Sequence, residues 1–326
     1  MTILAWNCRG VGNPRSIREL RSLVQTTRPQ ILGLIETKVG KERLERLRIA
    51  LGFAGCFVVP ALGTSGGLTL FWKKETDVSI QSFSFYHIDF LISDNQVVRY
   101  TLFYGSPEAH MRRYSWNLLR QLSGNSQLPW CVFGDFNDIL CKSDVSRFSS
   151  QRARNMMAFR RVVSDCGLSD IGYQGYKFTY SNKRKGSQEC KSMLDRVLAS
   201  RSWLRLFPDV QNRHIYTYSS DHMALCLHFD VREKPTSNQF RFENMWLRDE
   251  KFMQLVDNTC QEASERNLSY ADRLKLLQQK LSQWNKHHFG NVQAKVKKVR
   301  DELEMIYKQP RDDVSQQRET INLRTG

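Results

Sequence analysis

The sequence predicts an α/β protein whose strand-rich core is followed by a helical segment. Residues 2–36 have the pattern of a strand, a helix and a second strand. Between residues 56 and 104, five short runs alternate apolar and polar residues, which favours antiparallel sheet over a doubly wound parallel one. Beyond Phe240 the pattern is helical and strand-like runs are missing.

A composition break at Arg232–Asn238, with proline and serine, indicates a linker. We therefore expect a domain at residues 1–230, a linker at 231–239 and a basic helical extension at 240–326, with a disordered end after Pro310. The 326 residues exceed the roughly 250–300 at which single cores stop growing. We expect residues 1–230 to fold alone. The basic stretch Lys295–Arg300 either binds nucleic acid or is an ordinary solvated helix face.

The formal net charge is +16, which indicates a polyanionic substrate or partner. Nucleic acid is the first reading of this excess and an anionic membrane surface the second. The eight cysteines lack zinc-finger or C-x-x-C spacing, so we expect reduced thiols of an intracellular protein. Signal-peptide and membrane-span patterns are missing, and we expect a soluble, nuclear protein.

The first half of the chain divides into short elements at proline and glycine. A strand at Thr2–Asn7 is followed by a helix that begins at Pro14, presents Ile17, Leu20, Leu23 and Val24 on one face, and ends before Pro29. The expected elements after it are a strand at Ile31–Glu36, a helix at Lys41–Ala50, and strands at Cys56–Pro60, Leu68–Trp72, Val78–Phe85, His87–Ile92 and Gln96–Tyr104. The stretch Gly63–Gly67 has no Gly-Lys-Ser/Thr, so it predicts a hairpin turn and not a phosphate loop.

The second half repeats the mixture of helices and strands around a central apolar run. The expected helices are Glu108–Leu122 and Gln151–Cys166, and the second presents Met157, Phe159 or Arg160, Val163 and Cys166 in a loosely amphipathic pattern. The expected strands are Cys131–Phe133, Phe178–Ser181, Ser192–Leu198 and Ala224–Phe229. The basic connection Asn182–Lys191 should project into solvent.

Polar side chains follow many of these strands at the point where each strand ends. They are Asn7, Glu36, Tyr104, Asp135, Asn137, Asp195, Asp221 and His222. Gly-Asp and Asn-Asp pairs are also ordinary turn formers, and Glu36 taken singly reads equally as a surface acid. Strand termini on one rim of a sandwich would bring the groups together. Oxygen ligands without a cysteine or histidine cluster suit Mg²⁺ or Mn²⁺, so the pattern favours cleavage of phosphate esters.

Six motifs in order carry a family resemblance: Trp6-Asn7, Ile35-Glu36, Tyr104-Gly105, Gly134–Asn137, Leu194–Arg196 and Ser220–His222. Residues 2–230 resemble the endonuclease/exonuclease/phosphatase superfamily. Further motifs resemble the endonuclease of plant LINE-type (non-LTR) retrotransposons: Ala5–Gly10, Ser65–Leu68, Phe178–Asn182, Phe240–Trp246 and Trp284–Asn291. In that family the last two bridge to a reverse transcriptase, whose motifs this chain does not contain. The resemblance implies a four-layer α/β sandwich, two packed β-sheets flanked by helices.

The resemblance also implies roles for the strand-end residues. Glu36 would be the chief ligand of Mg²⁺ or Mn²⁺, with Asn7 and Asp221 near the metal. Asp135 would align or deprotonate the attacking water, and Asn137 would orient that water and the scissile phosphate. His222, held by Asp195, would contact the phosphate oxygens, and Tyr104 would support the phosphate or the leaving group.

Two basic features distinguish this chain within the resemblance. Abasic-site endonucleases have an acid where this sequence has Arg9, so repair of abasic sites is disfavoured and Arg9 is a candidate DNA contact. Within Asn182–Lys191 the candidate DNA-binding residues are Lys183, Arg184, Lys185 and Lys191, which carry charge suited to a narrow groove. The alternative for this connection is an ordinary solvated hairpin tip.

We therefore expect a Mg²⁺-dependent endonuclease that nicks double-stranded DNA for target-primed integration. The expected partners are double-stranded DNA and, through the basic C-terminal helices, element RNA, with no membrane. Two alternatives stay open: a phosphoinositide or nucleotide phosphatase of the same superfamily, and a catalytically silent nucleic-acid-binding relic.

Overall fold

Two β-sheets packed face to face, with helices on their outer faces, form the core of the computed structural model. The structure describes residues 1–61, 63, 65–184, 188–229, 246, 247, 249–266 and 268–288, and the single positions 298, 299, 301, 302 and 305. The linker expected at Arg232–Asn238 and most of the basic stretch Lys295–Arg300 lie outside these residues.

The elements are numbered in chain order. The strands are β1 (Thr2–Asn7), β2 (Ile31–Ile35), β3 (Gly55–Val59), β4 (Leu68–Trp72), β5 (Val78–Ser84), β6 (His87–Ser93), β7 (Val97–Tyr104), β8 (Trp130–Asp135), β9 (Leu168–Asp170), β10 (Tyr180–Ser181), β11 (Lys191–Ser192), β12 (Asp195–Ser200), β13 (Gln211–Ile215) and β14 (Ala224–His228). The helices are α1 (Pro14–Thr27), α2 (Lys41–Ala50), α3 (Arg112–Gly124), α4 (Ser150–Asp165), α5 (Arg201–Leu206), α6 (Glu250–Glu265) and α7 (Tyr270–His288).

Each large sheet has six strands and contains one parallel pair among the described strands. The first sheet has the order β13-β14-β1-β2-β4-β3 and the second has β5-β6-β7-β8-β12-β9. The parallel pairs are β1 with β2 and β7 with β8, and the other pairs are antiparallel. A helix joins the strands of each parallel pair, α1 in the first sheet and α3 in the second. The sheets are therefore mixed, although the antiparallel pairing expected from the short alternating runs dominates.

Alternation along the strands builds three apolar layers. In β1, Ile3 and Ala5 face the space between the sheets, whereas Leu4 and Trp6 face outward onto α1 and α2. On the other side, β8 and β12 pack outward against α3 and α4. Burying one such leucine or isoleucine contributes about 1.5–3 kcal/mol. The two sheets are thus fixed face to face, which positions their strand ends for the site described below.

Several local expectations were wrong. Helix α3 begins at Arg112, four residues later than expected. In α4, Met157 is 63% exposed, because the buried face follows the helical spacing from Met156, whereas Phe159, Val163 and Cys166 are buried as expected. The expected strand Ser192–Leu198 divides between β11, which pairs with β10 in a two-stranded ribbon, and β12 in the second sheet.

The chain divides into two compact units, one containing Met1–Arg232 and the other spanning Glu233–Leu303. In the second unit, Trp246, Phe252, Leu281 and Trp284 form a small aromatic core around α6 and α7. The rings of Trp246 and Trp284 meet edge to face with centroids 6.0 Å apart. No helix in the described part of the chain is both long and apolar enough to cross a membrane.

Candidate active site

The ends of the two parallel strand pairs meet in one hydrogen-bonded cluster. In the first sheet, Asn7 ends β1 and Glu36 follows β2; in the second, Tyr104 ends β7 opposite Asp135 at the end of β8. The Asn7 Nδ2 amide donates to Glu36 Oε1 at 3.0 Å and to Asp135 Oδ2 at 2.9 Å. The Tyr104 hydroxyl donates to Glu36 Oε1 at 3.1 Å. One amide thus connects the carboxylates of the two sheets.

Glu36 occupies a left-handed backbone position and is surrounded by cations. Its φ is 54°, which turns the chain away from β2. Lys38 Nζ lies 2.9 Å and Arg9 Nε 3.7 Å from Glu36 Oε2. Partial burial alone would raise the pKa of Glu36, but the hydrogen bonds from Lys38 and Asn7 and the charge of Arg9 outweigh it and hold the pKa below its ordinary value. Glu36 is therefore ionised at neutral pH.

Asp135 is placed by the tight turn that ends β8. Gly134 has a φ of 138°, and a Cβ there would collide with the Phe103 carbonyl oxygen, just as one on Gly105 would collide with that of Phe136. After the turn, the Asn137 backbone N–H donates to Asp135 Oδ1 at 2.9 Å. Asn137 Nδ2 donates to the Gly105 carbonyl at 2.9 Å, so its side chain is held beside the carboxylate.

Burial controls the acidity of Asp135, which is 1% exposed. Desolvation and the negative charge of Asp195 raise its pKa to about 7, although His222 and the hydrogen bonds from Asn7 and Asn137 oppose the shift. Asp195 is close because β8 and β12 pair antiparallel with these two residues directly opposite each other. Asp135 can therefore take up or release a proton near neutral pH.

His222 lies between the two carboxylates of this strand pair. Its Nδ1 is 2.9 Å from Asp195 Oδ2 and its Nε2 is 3.8 Å from Asp135 Oδ2. Burial alone would lower the pKa of His222, but the charges of Asp195 and Asp135 and the hydrogen bond with Asp195 together raise it to about 9. Ser220 fixes the backbone before it by donating to the Asn7 carbonyl at 2.7 Å and accepting from the His222 N–H at 3.1 Å. The imidazole is therefore a fixed cation.

Asp221 and Arg9 lie on the Glu36 side of the cluster. Arg9 Nε is 3.5 Å from Asp221 Oδ1 and 3.7 Å from Glu36 Oε2, so both carboxylates are close to one atom. Arg9 has a φ of 49° and its side chain is 45% exposed. Every predicted catalytic and metal-binding side chain is thus part of one connected group, and their roles stay predictions.

The predicted DNA-binding connection is a ribbon whose basic residues differ in exposure. Arg184 is exposed, and Lys183 is half-buried with Nζ 3.4 Å from the Tyr218 carbonyl. Lys185 lies outside the described residues. The expected solvent exposure of Lys191 was wrong: the residue is 5% exposed in β11, with Nζ 3.4 Å from Glu189 and over the Tyr176 ring, so its charge is not on the surface.

The cluster opens into a cleft of about 280 Å³. Besides Arg9, Asn137 and His222, its lining includes Arg112 from α3 and Arg152 and Asn155 from α4. These three helical residues were missed by the sequence reasoning, because nothing in a helix pattern shows which exposed positions face a cleft on another element. Lys38 was missed too, although its place two residues after Glu36 is a usable signal.

A match to a family model agrees with this geometry. Residues 4–222 match the model of the Endonuclease/Exonuclease/phosphatase family. The chain belongs to this family. The matched span contains Asn7, Glu36, Asp135 and His222, the residues that form the cluster. A search of curated protein sequences finds no match.

Solved structures of the same fold include nucleases and a phosphatase. The endonuclease domain of TRAS1, a telomere-specific non-LTR retrotransposon, aligns with a TM-score of 0.52 at 15% identity, covering 71% of this chain and 99% of that domain. The 3′ phosphatase NExo from Neisseria, bound to product DNA hairpin, gives 0.55 at 17%, covering 71% and 99%. An AP endonuclease from Archaeoglobus fulgidus gives 0.54 at 19%, covering 71% and 100%. At these identities the similarity establishes the shared four-layer fold.

The oxygen atoms on the Glu36 side fit the divalent cation that this family's chemistry implies. Asp221 Oδ1 is buried and accepts no hydrogen bond from any residue that the structure describes. The Arg9 guanidinium, with Nε 3.5 Å away, balances its charge without donating a hydrogen bond, so the oxygen keeps lone pairs that a divalent cation could use. Asp135, Asp195 and His222 each offer a ligand atom, and these atoms lie within 4.8 Å of one another, so this group is a second place where an ion could bind. Both groups are candidate cation sites, and the assignment of the cation to Glu36 with Asp221 stays a prediction.

The arrangement supplies the groups that phosphoester hydrolysis requires. Asp135 can accept a proton near neutral pH, the imidazolium of His222 can donate hydrogen bonds to an anionic phosphate, and the Asn137 amide lies beside both. A cation at Glu36 would balance further negative charge. The site therefore has the chemistry of its family, phosphoester hydrolysis.

Proposed function

We propose that this chain is a divalent-metal-dependent endonuclease that nicks double-stranded DNA for target-primed integration of a retrotransposon. One observation carries the proposal: the Asn7 amide joins Glu36, the carboxylate surrounded by cations, to Asp135, the carboxylate with a pKa of about 7. This contact supports a reaction in which cation binding and proton transfer act side by side on one phosphate.

Each residue has a definite task in the proposed reaction. Glu36 and Asp221, with Asn7 beside them, would hold Mg²⁺ or Mn²⁺, which would supply positive charge to balance the phosphate. Asp135 accepts the proton of the attacking water, and Asn137 positions that water against the phosphorus. His222, kept cationic by Asp195, donates to a phosphate oxygen, while Tyr104 supports the phosphate or the leaving oxygen.

DNA is favoured as the substrate by charge. The chain carries a net +16, and arginines from three separate elements line the cleft beside the cluster. TRAS1, whose endonuclease domain shares the fold, is described as a non-LTR retrotransposon, and the stretch Ala5–Gly10 resembles the plant elements of that class. Contact of the C-terminal helices with element RNA stays a prediction, because Lys295, Lys297 and Arg300 lie outside the described residues.

Supercoiled plasmid provides the direct test. Purified protein with Mg²⁺ should convert it to the open circular form with 3′-hydroxyl ends, and EDTA should stop the conversion. Asp135→Asn should abolish nicking, whereas Asp209→Asn, an exposed carboxylate outside the cluster, should leave it unchanged. Nicking by Asp135→Asn at the wild-type rate would show that this site does not cut the DNA and would refute the proposal.

A phosphatase of the same family is the second candidate, since the fold is shared with a 3′ phosphatase. Release of inorganic phosphate from a 3′-phosphorylated oligonucleotide, a nucleotide or a phosphoinositide, without plasmid nicking, would establish it. Loss of both activities with retained DNA binding would identify a silent relic. A fragment of residues 1–230, the proposed catalytic domain, should nick as the full chain does.

A further inference from the structure

The cleft beside the catalytic cluster contains basic side chains for which the proposed reaction has no task. His222 and Asn137 face it from the cluster, and Arg112, Arg152 and Asn155 face it from α3 and α4. A single phosphate at the cluster is already provided with Asn137, His222 and the cation site. The additional donors therefore require another explanation.

Arg112 is held rigidly with hydrogen-bonding capacity to spare. Its Nη1 donates to Asp138 Oδ1 at 3.1 Å, and the other oxygen of Asp138 accepts from Trp116 Nε1 at 2.8 Å. Arg112 Nε is buried and has no acceptor among the residues that the structure describes. The Arg112 side chain is 20% exposed and lines the cleft, so a ligand oxygen can reach the exposed part of the guanidinium there.

Arg152 has a charge that no described carboxylate balances. Its Nη1 lies 3.5 Å from Ser192 Oγ and its Nη2 3.5 Å from Cys190 Sγ, which are long contacts to neutral groups. Since Asp138 already neutralises Arg112, Arg152 gives this part of the cleft its net positive charge. The ligand that fits is an anion with several acceptor oxygens, as a phosphodiester is, because a guanidinium presents its donors in a fixed fork.

We infer that Arg152 and Arg112, with Asn155 beside them, form a second phosphate subsite, which binds the phosphate next to the scissile one on the cut strand. The substrate is therefore a polynucleotide chain and not an isolated phosphate monoester. The inference rests on the proposed endonuclease function. Asp138 is a positioning residue in this subsite, because it fixes the guanidinium of Arg112 at the cleft.

A charge-neutral substrate isolates the neighbouring phosphate. In a short duplex with one mapped nick site, a methylphosphonate replaces the phosphate on the 5′ side or the 3′ side of the scissile bond. For the wild-type chain, we expect one replacement to lower kcat/KM about 10-fold and the other to have little effect. Arg152→Gln should lose about 10-fold on unmodified DNA and no more than about twofold further on the sensitive duplex, because the two changes remove one interaction.

Arg160→Gln is the matched control, since it makes the same change at an exposed position of the same helix. It should behave as the wild-type chain on all three duplexes. If the losses caused by Arg152→Gln and by the methylphosphonate multiplied, the two changes would act independently and the subsite would be overturned. Nicking itself, and with it the proposed function, would be unaffected by that result.

A binding measurement without cleavage distinguishes a failure of the subsite from a failure of the proposed endonuclease function. The binding constant Kobs for duplex DNA is measured in EDTA over a range of salt concentrations. The magnitude of the slope of log Kobs against log salt should fall by about 0.9 in Arg152→Gln, because one phosphate contact is lost, and should stay the same in Arg160→Gln. The methylphosphonate duplex should lower wild-type affinity and leave that of Arg152→Gln unchanged. A wild-type chain that binds in this way but never nicks would refute the proposed function alone. Equal slopes in both variants would refute the subsite.

Discussion

The two strand–helix–strand units, β1-α1-β2 and β7-α3-β8, have the same layout but opposite electrostatics. Each second strand delivers an acid to the site, Glu36 after β2 and Asp135 at the end of β8. Glu36 has two basic side chains within 3.7 Å of Oε2 and a pKa below its ordinary value. Asp135 is almost fully buried beside Asp195 and has a pKa of about 7.

The difference shows that the backbone unit sets where an acid lies and its neighbours set what it can do. In the first sheet the neighbours come from loops, which supply Arg9 and Lys38. In the second, the antiparallel strand β12 places Asp195 opposite Asp135. A permanently ionised carboxylate suits a cation, whereas one that titrates near neutrality suits proton transfer.

Removing Glu36, Asp135 or His222 should give the largest effects on activity. Glu36→Ala, Asp135→Ala and His222→Ala should each lower the single-turnover nicking rate by at least about 10²-fold. Mn²⁺ binding, followed by electron paramagnetic resonance, should be lost in Glu36→Ala and retained in Asp135→Ala. Glu42→Ala, an exposed acid on α2, is the control. Equal loss of Mn²⁺ binding in both acid variants would erase the distinction between the two sides.

The pH dependence of nicking should reflect the ionisation of Asp135 and His222. Asp135 acts as a base only when ionised, so the rate should rise through about pH 7. His222 stabilises charge only when protonated, so the rate should fall above about pH 9. Asp195→Asn removes the charge that raises the pKa of His222 and should move the alkaline limb to lower pH. A profile independent of pH from about 6 to 10 would contradict both assignments.

Lys38→Gln should have a moderate effect, confined to cation binding at Glu36. The Lys38 ammonium lies 2.9 Å from Glu36 Oε2 and competes with a divalent cation for that oxygen. Its removal should tighten Mn²⁺ binding in the absence of DNA by about three- to tenfold, an amount limited by solvent screening. Lys41→Gln, at an exposed position of α2, should leave the affinity unchanged. Weaker binding in Lys38→Gln would show that the ammonium organises Glu36.

The smallest effect on the chemical step is expected from the basic residues between β10 and β11. Replacing Lys183, Arg184 and Lys185 together by alanine should weaken DNA binding about threefold and flatten the distribution of nick positions, with an unchanged rate on bound DNA. Primer extension maps the positions. Lys191→Ala is the contrast, since its side chain is buried and its loss should lower stability. An unaltered pattern in the triple variant would move DNA reading to Arg9.

Sequence reasoning succeeded where the signal is local. Strand β1, helix α2 and strand β4 have the expected bounds, because alternation, helical spacing and glycine or proline breaks lie within each segment. The strand-end acids were found in the same way, since polar groups that follow apolar runs mark the rim of a sheet. The four-layer arrangement followed from motif order, which short patterns alone do not specify.

The missed features depend on contacts between distant segments. The direct pairing of Asp195 with Asp135 is set by strand register, and the exposure of Arg152 to the cleft is set by how α4 packs on the second sheet. Lys191 looked exposed because its neighbours are polar, yet the ribbon turns it onto Tyr176 and Glu189. Charge in a sequence does not reveal which side of a short ribbon a residue occupies.

Gly105 and Gly134 carry no reactive group, yet each lies too close to a backbone carbonyl oxygen for a Cβ to fit. The carbonyl beside Gly105 is that of Phe136, and the one beside Gly134 is that of Phe103. A gene copy encoding Gly105→Ala or Gly134→Ala would keep every acid, amide and imidazole of the site. Its β7 and β8 ends would nevertheless be forced apart, and Asp135 and Asn137 would be displaced with them. Whether a chain of this family keeps a working site is therefore decided as much at these two glycines as at the polar residues.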